Sequence, residues 1–419
     1  MYNLLKKLFP IHRSITGDGF NQTLDILSEN IDLKKFKYKT GSKLFDWTVP
    51  KVWNINSATI KRESGETIVD IKDNNLHIMS YSTPVKGLIS IEELKSKLYT
   101  LPDRPNAIPY LTSYYEPDWG FCIPHNLLTQ LNDERYYVEI DSSLEDGYLT
   151  IAEARIPGQV DKDILLSCYI CHPSMANDSL SGVVLLSALY EYLLKQNNYF
   201  GYRFLFIPET IGSIAYLHKY KASINKWLHA GLVCTCVGDG GSFNYKQSRQ
   251  GETIIDKVAE NILKYSNHEY QIRKFWPEGS DERQFCSPGF NLPVGSIMRS
   301  VYGEFSEYHN SDDNLNFVKA IYLDESLSLY KNILDGIQLN SRYINTINFC
   351  EPHFSKYKMY PSSGSHLDRS DYLKNMLWVM NYSDGKHNLV DIANLAKKSI
   401  LDFKPVLFDL IEKGLLKRL

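Results

Sequence analysis

Apolar residues change rhythm along this chain, and each change predicts a different kind of structure. The opening spacing is helical over 2–8; a loop from His12 to Gly19 follows, then a second helix ending near Asn30. From about 45 to 121 the pattern breaks into short alternating runs, such as Thr67-Ile68-Val69-Asp70-Ile71 and Leu76-His77-Ile78-Met79. Asp73-Asn74-Asn75, Pro84, Pro102, Pro105 and Pro109 divide these runs, which predicts a small β-rich module. Beyond 136, denser apolar runs predict strands at 136–140, 148–155, 164–169, 202–207 and 232–237. Amphipathic helices at 182–194, 213–220 and 252–265 separate the later strands.

Strands that are apolar throughout and alternate with helices predict an α/β fold: a mixed, mainly parallel sheet with helices on both faces. The β-rich module is then an insertion at 45–130, between two parts of one α/β domain, 1–44 and 131–348. After a helix over 320–339, short helices at 372–380, 390–397 and 403–413 predict a winged-helix-like domain over 349–419.

Composition narrows the function. The 419 residues carry a net charge of −3 and are 43% hydrophobic, which gives no global field for nucleic acid or a membrane surface. No apolar run reaches the roughly 18 residues of a membrane helix. The N-terminus lacks the apolar length and cleavage site of a signal peptide, so the expected compartment is the cytoplasm. Seven cysteines, an odd number, fit a reducing compartment. Cys168 and Cys171 form C-x-x-C, but they flank a predicted strand and no second pair exists, so structural thiols are expected. The C-terminal segment's third helix begins Asp402-Phe403-Lys404-Pro405-Val406-Leu407-Phe408-Asp409. A DNA-reading helix presents Arg, Lys, Asn or Gln to base edges, so packing or a homo-oligomer contact is expected here instead.

Candidate chemistry gathers where strands end. His172 follows the run 164–169, Glu209 follows 202–207 and Asp239 follows 232–237; Asp178 opens a helix and His309 lies on a late loop. Ligands of an open α/β sheet collect outside the carboxyl ends of its strands. Imidazoles and carboxylates there are the donor set of a hydrolytic zinc site, which also needs a carboxylate base. Singly, each has a plainer reading: a cap, a turn-shaping Asp or a backbone-bonded His. The ordered set favours the site.

The fragments around these residues, Cys-His-Pro-Ser-Met-Ala-Asn-Asp-Ser-Leu-Ser-Gly (171–182), Pro-Glu-Thr-Ile-Gly-Ser (208–213), Val-Gly-Asp-Gly-Gly (237–241) and Glu-Tyr-His-Asn-Ser-Asp-Asp (307–313), resemble the co-catalytic zinc aminopeptidase superfamily. With Arg-Ser-Ile-Thr-Gly (13–17), Phe-Asp-Trp-Thr-Val-Pro (45–50), Tyr-Ser-Thr-Pro-Val-Lys-Gly (81–87), Trp-Gly-Phe-Cys (119–122) and Gly-Ser-Asp-Glu-Arg-Gln-Phe (279–285), the whole chain resembles its aminopeptidase-like branch associated with polysaccharide biosynthesis. The resemblance implies metal ligands at His172, Asp178, Asp239 and His309, and a general base at Glu209. It also implies one or two zinc ions and a substrate that is a small peptide, an aminoacyl group or an amide-bearing sugar. Two residues depart from the pattern. Thr210 stands where the superfamily has a second, ligating Glu, and Ser174 stands where an Asp orients the first His. One ion position is therefore expected to lack a ligand.

Arg283 and Asp281, on a loop after Gly279-Ser280, are expected substrate contacts, Arg283 through a carboxylate or acidic sugar group. Arg13 is a further candidate of the same type, and Tyr308 could donate to an oxyanion. Two function classes follow: a zinc-dependent amide hydrolase, favoured by the retained Glu209, and a non-catalytic regulatory or assembly protein with a degenerate peptidase domain and a winged-helix tail.

Overall fold

The computed structural model describes residues 1–359 and 369–419. Its largest sheet has eight strands: β1 (Lys34–Lys39), β2 (Tyr148–Ile156), β3 (Val160–Tyr169), β4 (Phe200–Ile207), β5 (Leu228–Cys234), β6 (Phe243–Lys246), β7 (Tyr270–Arg273) and β8 (Val294–Met298). They are ordered β1-β2-β4-β3-β5-β8-β6-β7. The middle four, β4, β3, β5 and β8, are parallel neighbours, while β2 and β6 join them antiparallel. Central strands need apolar side chains on both faces, and Ile164, Leu165 and Leu166 of β3 and Phe204, Leu205 and Phe206 of β4 are all buried. Helix Gly182–Leu193 packs on β3, Ile211–Tyr220 on β2 and Ile254–Lys264 on β5.

Sequence and structure part company at several elements. The strand expected at 232–237 ends earlier, at Cys234, because Cys236 takes a left-handed backbone with φ 51° and breaks the ladder. The strand expected at 136–140 exists as Arg135–Glu145, but it joins a separate antiparallel sheet. There it lies between Val52–Arg62 and Val85–Ser90, with Thr67–Asp70 at the edge. Alternation predicts a strand without naming its partner.

This smaller sheet's domain reaches the main one through its loops. Pro109 bridges Asn310, Tyr110 N–H donates to the His309 carbonyl at 2.8 Å, and Ser311 N–H donates to the Ile108 carbonyl at 2.9 Å. Near the C-terminus, Arg342–Asn345 pairs with both Asp384–Asn388 and Leu416–Arg418, so the last sheet draws in a strand ahead of residue 349. Helices Arg369–Tyr382, Leu389–Leu395 and Lys404–Glu412 accompany it. In the last helix Val406, Leu407 and Leu410 are buried, while Phe408 and Ile411 face solvent. Cys168, Cys171, Cys234 and Cys236 are buried free thiols. Among the described residues, no helix is long and apolar enough to cross a membrane.

Candidate metal centre

Three of the expected ligands meet above the ends of β3 and β5. The metal-binding atoms of His172, Asp178 and His309 all lie within 4.8 Å of one another, and among the described residues no other such group of three forms. His172 comes three residues after β3. Its Nδ1 faces Cys171 Sγ at 3.5 Å, which leaves Nε2 turned into the site, 3.7 Å from Glu209 Oε2. Burial holds the imidazole neutral, with its pKa lowered to about 4. Its carbonyl accepts two hydrogen bonds from Arg13, from Nε at 3.1 Å and Nη2 at 2.9 Å.

Asp178 sits in the one-turn segment Ala176–Ser181 that leads into helix Gly182–Leu193. Asp313 fixes this turn by accepting from Asn177 N–H at 2.6 Å and Asp178 N–H at 2.8 Å. Burial, followed by the nearby Asp178 and Asp239 charges, pushes Asp313 up to about 8 against those two bonds. The two oxygens of Asp178 differ. Oδ1 accepts from the Tyr169 hydroxyl, with Thr235 Oγ1 at 3.4 Å. Oδ2 is buried and faces only His309 Nε2, itself buried, 3.0 Å away. Burial alone would raise the Asp178 pKa, but the two imidazoles and Tyr169 bring it down to about 2. An anionic oxygen and an imidazole nitrogen left with only each other, both out of water, are donors that a divalent cation between them would use. The donor set fits zinc.

Glu209 follows β4, and its backbone N–H points at Cys171 Sγ, 3.3 Å away. Desolvation and the Asp281 and Asp178 carboxylates push its pKa well up. The next residue closes a tight turn: Ile211 N–H donates to the Glu209 carbonyl at 2.7 Å across Thr210, whose φ/ψ is 61°/−71°. This is the strained positive-φ γ-turn, rare for a β-branched residue. The loop after Gly279 clamps it. Asp281 Oδ1 accepts from Thr210 N–H at 2.7 Å and Ser213 Oγ at 2.8 Å, and Arg283 Nη2 donates to Thr210 Oγ1 at 2.9 Å. Between them, Glu282 pairs with Lys246 at 2.6 Å, both side chains fully buried.

The remaining wall is aromatic. Tyr110 lies 5.1 Å from the His172 ring and 5.2 Å from the His309 ring, centroid to centroid, and shares a 2.9 Å hydroxyl contact with Tyr114. Tyr308 stacks on His309 at 3.9 Å, and burial with the Asp178 and Glu209 charges keeps its phenol protonated. His309 is 35% exposed and Glu209 26%, against 3% and 0% for His172 and Asp178, so solvent reaches the site from the Glu209–His309 side.

Three expectations need correction. Asp239 is not brought to the cluster. Its two oxygens accept from Asn177 Nδ2 at 2.7 Å, Gly241 N–H at 2.6 Å, Ser300 Oγ at 2.6 Å and Ser300 N–H at 3.3 Å. That carboxylate ties loops together beneath Asp178 and has no free lone pair to offer. Asp281 is fully buried and turned inward onto the Thr210 turn, away from substrate. Arg13 is also fully buried, its third donor bonded to the Leu8 carbonyl at 2.5 Å, so it positions His172. Sequence reasoning missed Tyr169, Asp313 and Tyr110. Asp313 lies within the quoted His309 fragment; Tyr169 reads as a strand residue, and nothing local marks Tyr110.

A family model described as Domain of unknown function (DUF4910) matches residues 2–340, and one described as winged helix-turn-helix matches residues 341–418. Among curated proteins, one from Clostridium acetobutylicum is 47% identical over 406 residues, covering 97% of this chain and 92% of its own. It is provisionally named a polysaccharide biosynthesis protein with an aminopeptidase-like domain. A crystal structure from Clostridium acetobutylicum, provisionally called a peptidase, superposes with a TM-score of 0.93 at 46% identity, covering 100% of this chain and 96% of that one. A zinc aminopeptidase from Bacillus subtilis shares the fold, with a TM-score of 0.59 at 11% identity over 80% of this chain and 93% of its own.

Proposed function

This chain belongs to the DUF4910 family, with the clostridial protein that carries an aminopeptidase-like domain, and on that premise we propose that it is a zinc-dependent amide hydrolase of aminopeptidase type. The observation that carries the reading is the pair of buried atoms, Asp178 Oδ2 and His309 Nε2, which have only each other as partners, 3.0 Å apart beside His172 and Glu209. His172, Asp178 and His309 would hold the ion. Zinc bound there would supply Lewis-acid polarisation of the scissile carbonyl and make water a better nucleophile.

The chain's own residues do the rest. Glu209, whose half-buried carboxyl holds protons more tightly than usual, takes a proton from the attacking water at its Oε2 edge and delivers it to the leaving nitrogen. The protonated Tyr308 hydroxyl donates to the oxygen that gains charge. Arg13 and Asp313 keep His172 and Asp178 aimed. The Tyr110 wall from the inserted module narrows the site, which favours small substrates such as an N-terminal amino acid, an aminoacyl group or an acyl group on an amino sugar. Service in polysaccharide biosynthesis rests on the clostridial relative's name.

Metal analysis of the full chain tests this first, with L-leucine p-nitroanilide and an N-acetylated hexosamine as substrate probes. Zinc should be bound. Glu209→Gln should keep it and lose hydrolysis by about 10²–10⁴-fold. Absence of zinc, with no stabilisation on adding it, would leave a non-catalytic regulatory or assembly role.

A further inference from the structure

The metal centre offers donors for one ion only. Bridging two ions would need a lone pair on Asp178 Oδ1, which already accepts from both Tyr169 and Thr235. Asp239 is saturated by four donors. After Glu209 the chain supplies Thr210, with no carboxylate. His172, Asp178 and His309 would hold one ion and leave no donor of the cluster over.

A fixed cation stands beside Glu209. Arg283 Nη2 is held on Thr210 Oγ1 at 2.9 Å, so its guanidinium lies against the residue next to Glu209. Its Nε–H is buried and has no acceptor. Among the described residues, no carboxylate pairs with it: Glu282 is taken by Lys246 and Asp281 by the Thr210 turn. A half-buried guanidinium with an unused buried donor and no ion-pair partner, its charge reaching Glu209 and Asp281 only from a distance, is arranged to meet an anion that arrives later.

Resting on the zinc reading above, we infer that this site is mononuclear and that the Arg283 guanidinium supplies the second positive charge, in place of a second ion. Its ligand class is an anionic oxygen of the substrate or of the oxygen that gains charge during attack. The two residues form a matched exchange. A carboxylate at position 210 would call for a metal or neutralise Arg283, whereas a threonine hydroxyl orients the guanidinium without cancelling its charge.

Zinc titration calorimetry with metal counting on the full chain tests this. The wild-type chain should bind one zinc. Arg283→Ala should still bind one, about 5- to 10-fold more tightly, because a neighbouring cation that repels the ion has gone. Arg283→Lys keeps the charge and should stay within about twofold of wild type. Two ions in the wild type, or weaker binding in Arg283→Ala, would each overturn the assignment. No zinc in any form would instead sink the hydrolase reading itself, an outcome distinct from these.

Discussion

Replacing Asp281 by Asn should stabilise the chain at neutral pH and not at acid pH. The carboxyl is fully buried, and its Oδ1 accepts the Thr210 N–H and Ser213 hydroxyl bonds while Oδ2 has no partner. Burial outweighs those bonds and raises its pKa to about 6, against an ordinary value of 3.8. The folded state therefore holds this proton more tightly than the unfolded chain. Stability is highest below the unfolded pKa, falls as pH rises from about 4 to 6, and stays lower above that. Two pH units correspond to about 3 kcal/mol. Asn keeps an acceptor at Oδ1 and never ionises, but its amide NH2 replaces the unpartnered Oδ2 and buries unsatisfied donors, a cost of about 1 kcal/mol at either pH. The net expectation is a gain of about 1–2 kcal/mol at pH 7.5 and a loss of about 1 kcal/mol at pH 4. Glu209, which the Asp281 charge pushes upward, adds in the same direction. Urea unfolding of parent and variant at both pH values reads this directly, since other titrating groups largely cancel in the difference. Asp281→Ala, which frees Thr210 N–H, should instead be destabilised at pH 4 by about 1–3 kcal/mol. An Asn-minus-parent difference that does not change between pH 4 and 7.5 would refute the argument.

Arg13→Met should remove both donors from the His172 carbonyl, lowering stability by about 1–3 kcal/mol and weakening zinc binding about 10-fold or more, read by denaturation and metal titration. Lys246→Met strands Glu282 in the interior and should cost about 3–5 kcal/mol, whereas Lys246→Met/Glu282→Gln should recover at least half; equal losses in both variants would mean the pair is not the fastener of the Arg283 loop.

The sequence reveals most where local pattern and burial coincide. β3 and β4 are apolar on both faces, so their runs are visible and so are His172 and Glu209 at their ends. β1, Lys-Lys-Phe-Lys-Tyr-Lys, is hidden by the lysines that protect an edge strand from further pairing. β6 and β7 are too short to register, and β8 contains a glycine. Asp239 misleads because Gly-Asp-Gly-Gly describes a loop-tying carboxylate as well as a metal ligand. Asp281 and Arg13 mislead because charge suggests solvent, while both are buried and bonded to backbone. Tyr110 is invisible because its position depends on pairing with a loop about 200 residues further along the chain.

That pairing also sets when the cluster can be completed during synthesis. Tyr110 N–H waits for the His309 carbonyl, Arg13 for the His172 carbonyl, and the Tyr2 hydroxyl for the Leu315 carbonyl, donating at 2.6 Å. At ribosomal speeds of roughly 5–20 residues per second, His309 emerges on the order of ten seconds after His172. During that interval a nascent chain carries two of the three donors and cannot close its ion site. Any ion held by this cluster would therefore be captured only when the α/β domain is nearly complete, and a chain truncated before residue 309 lacks the third donor.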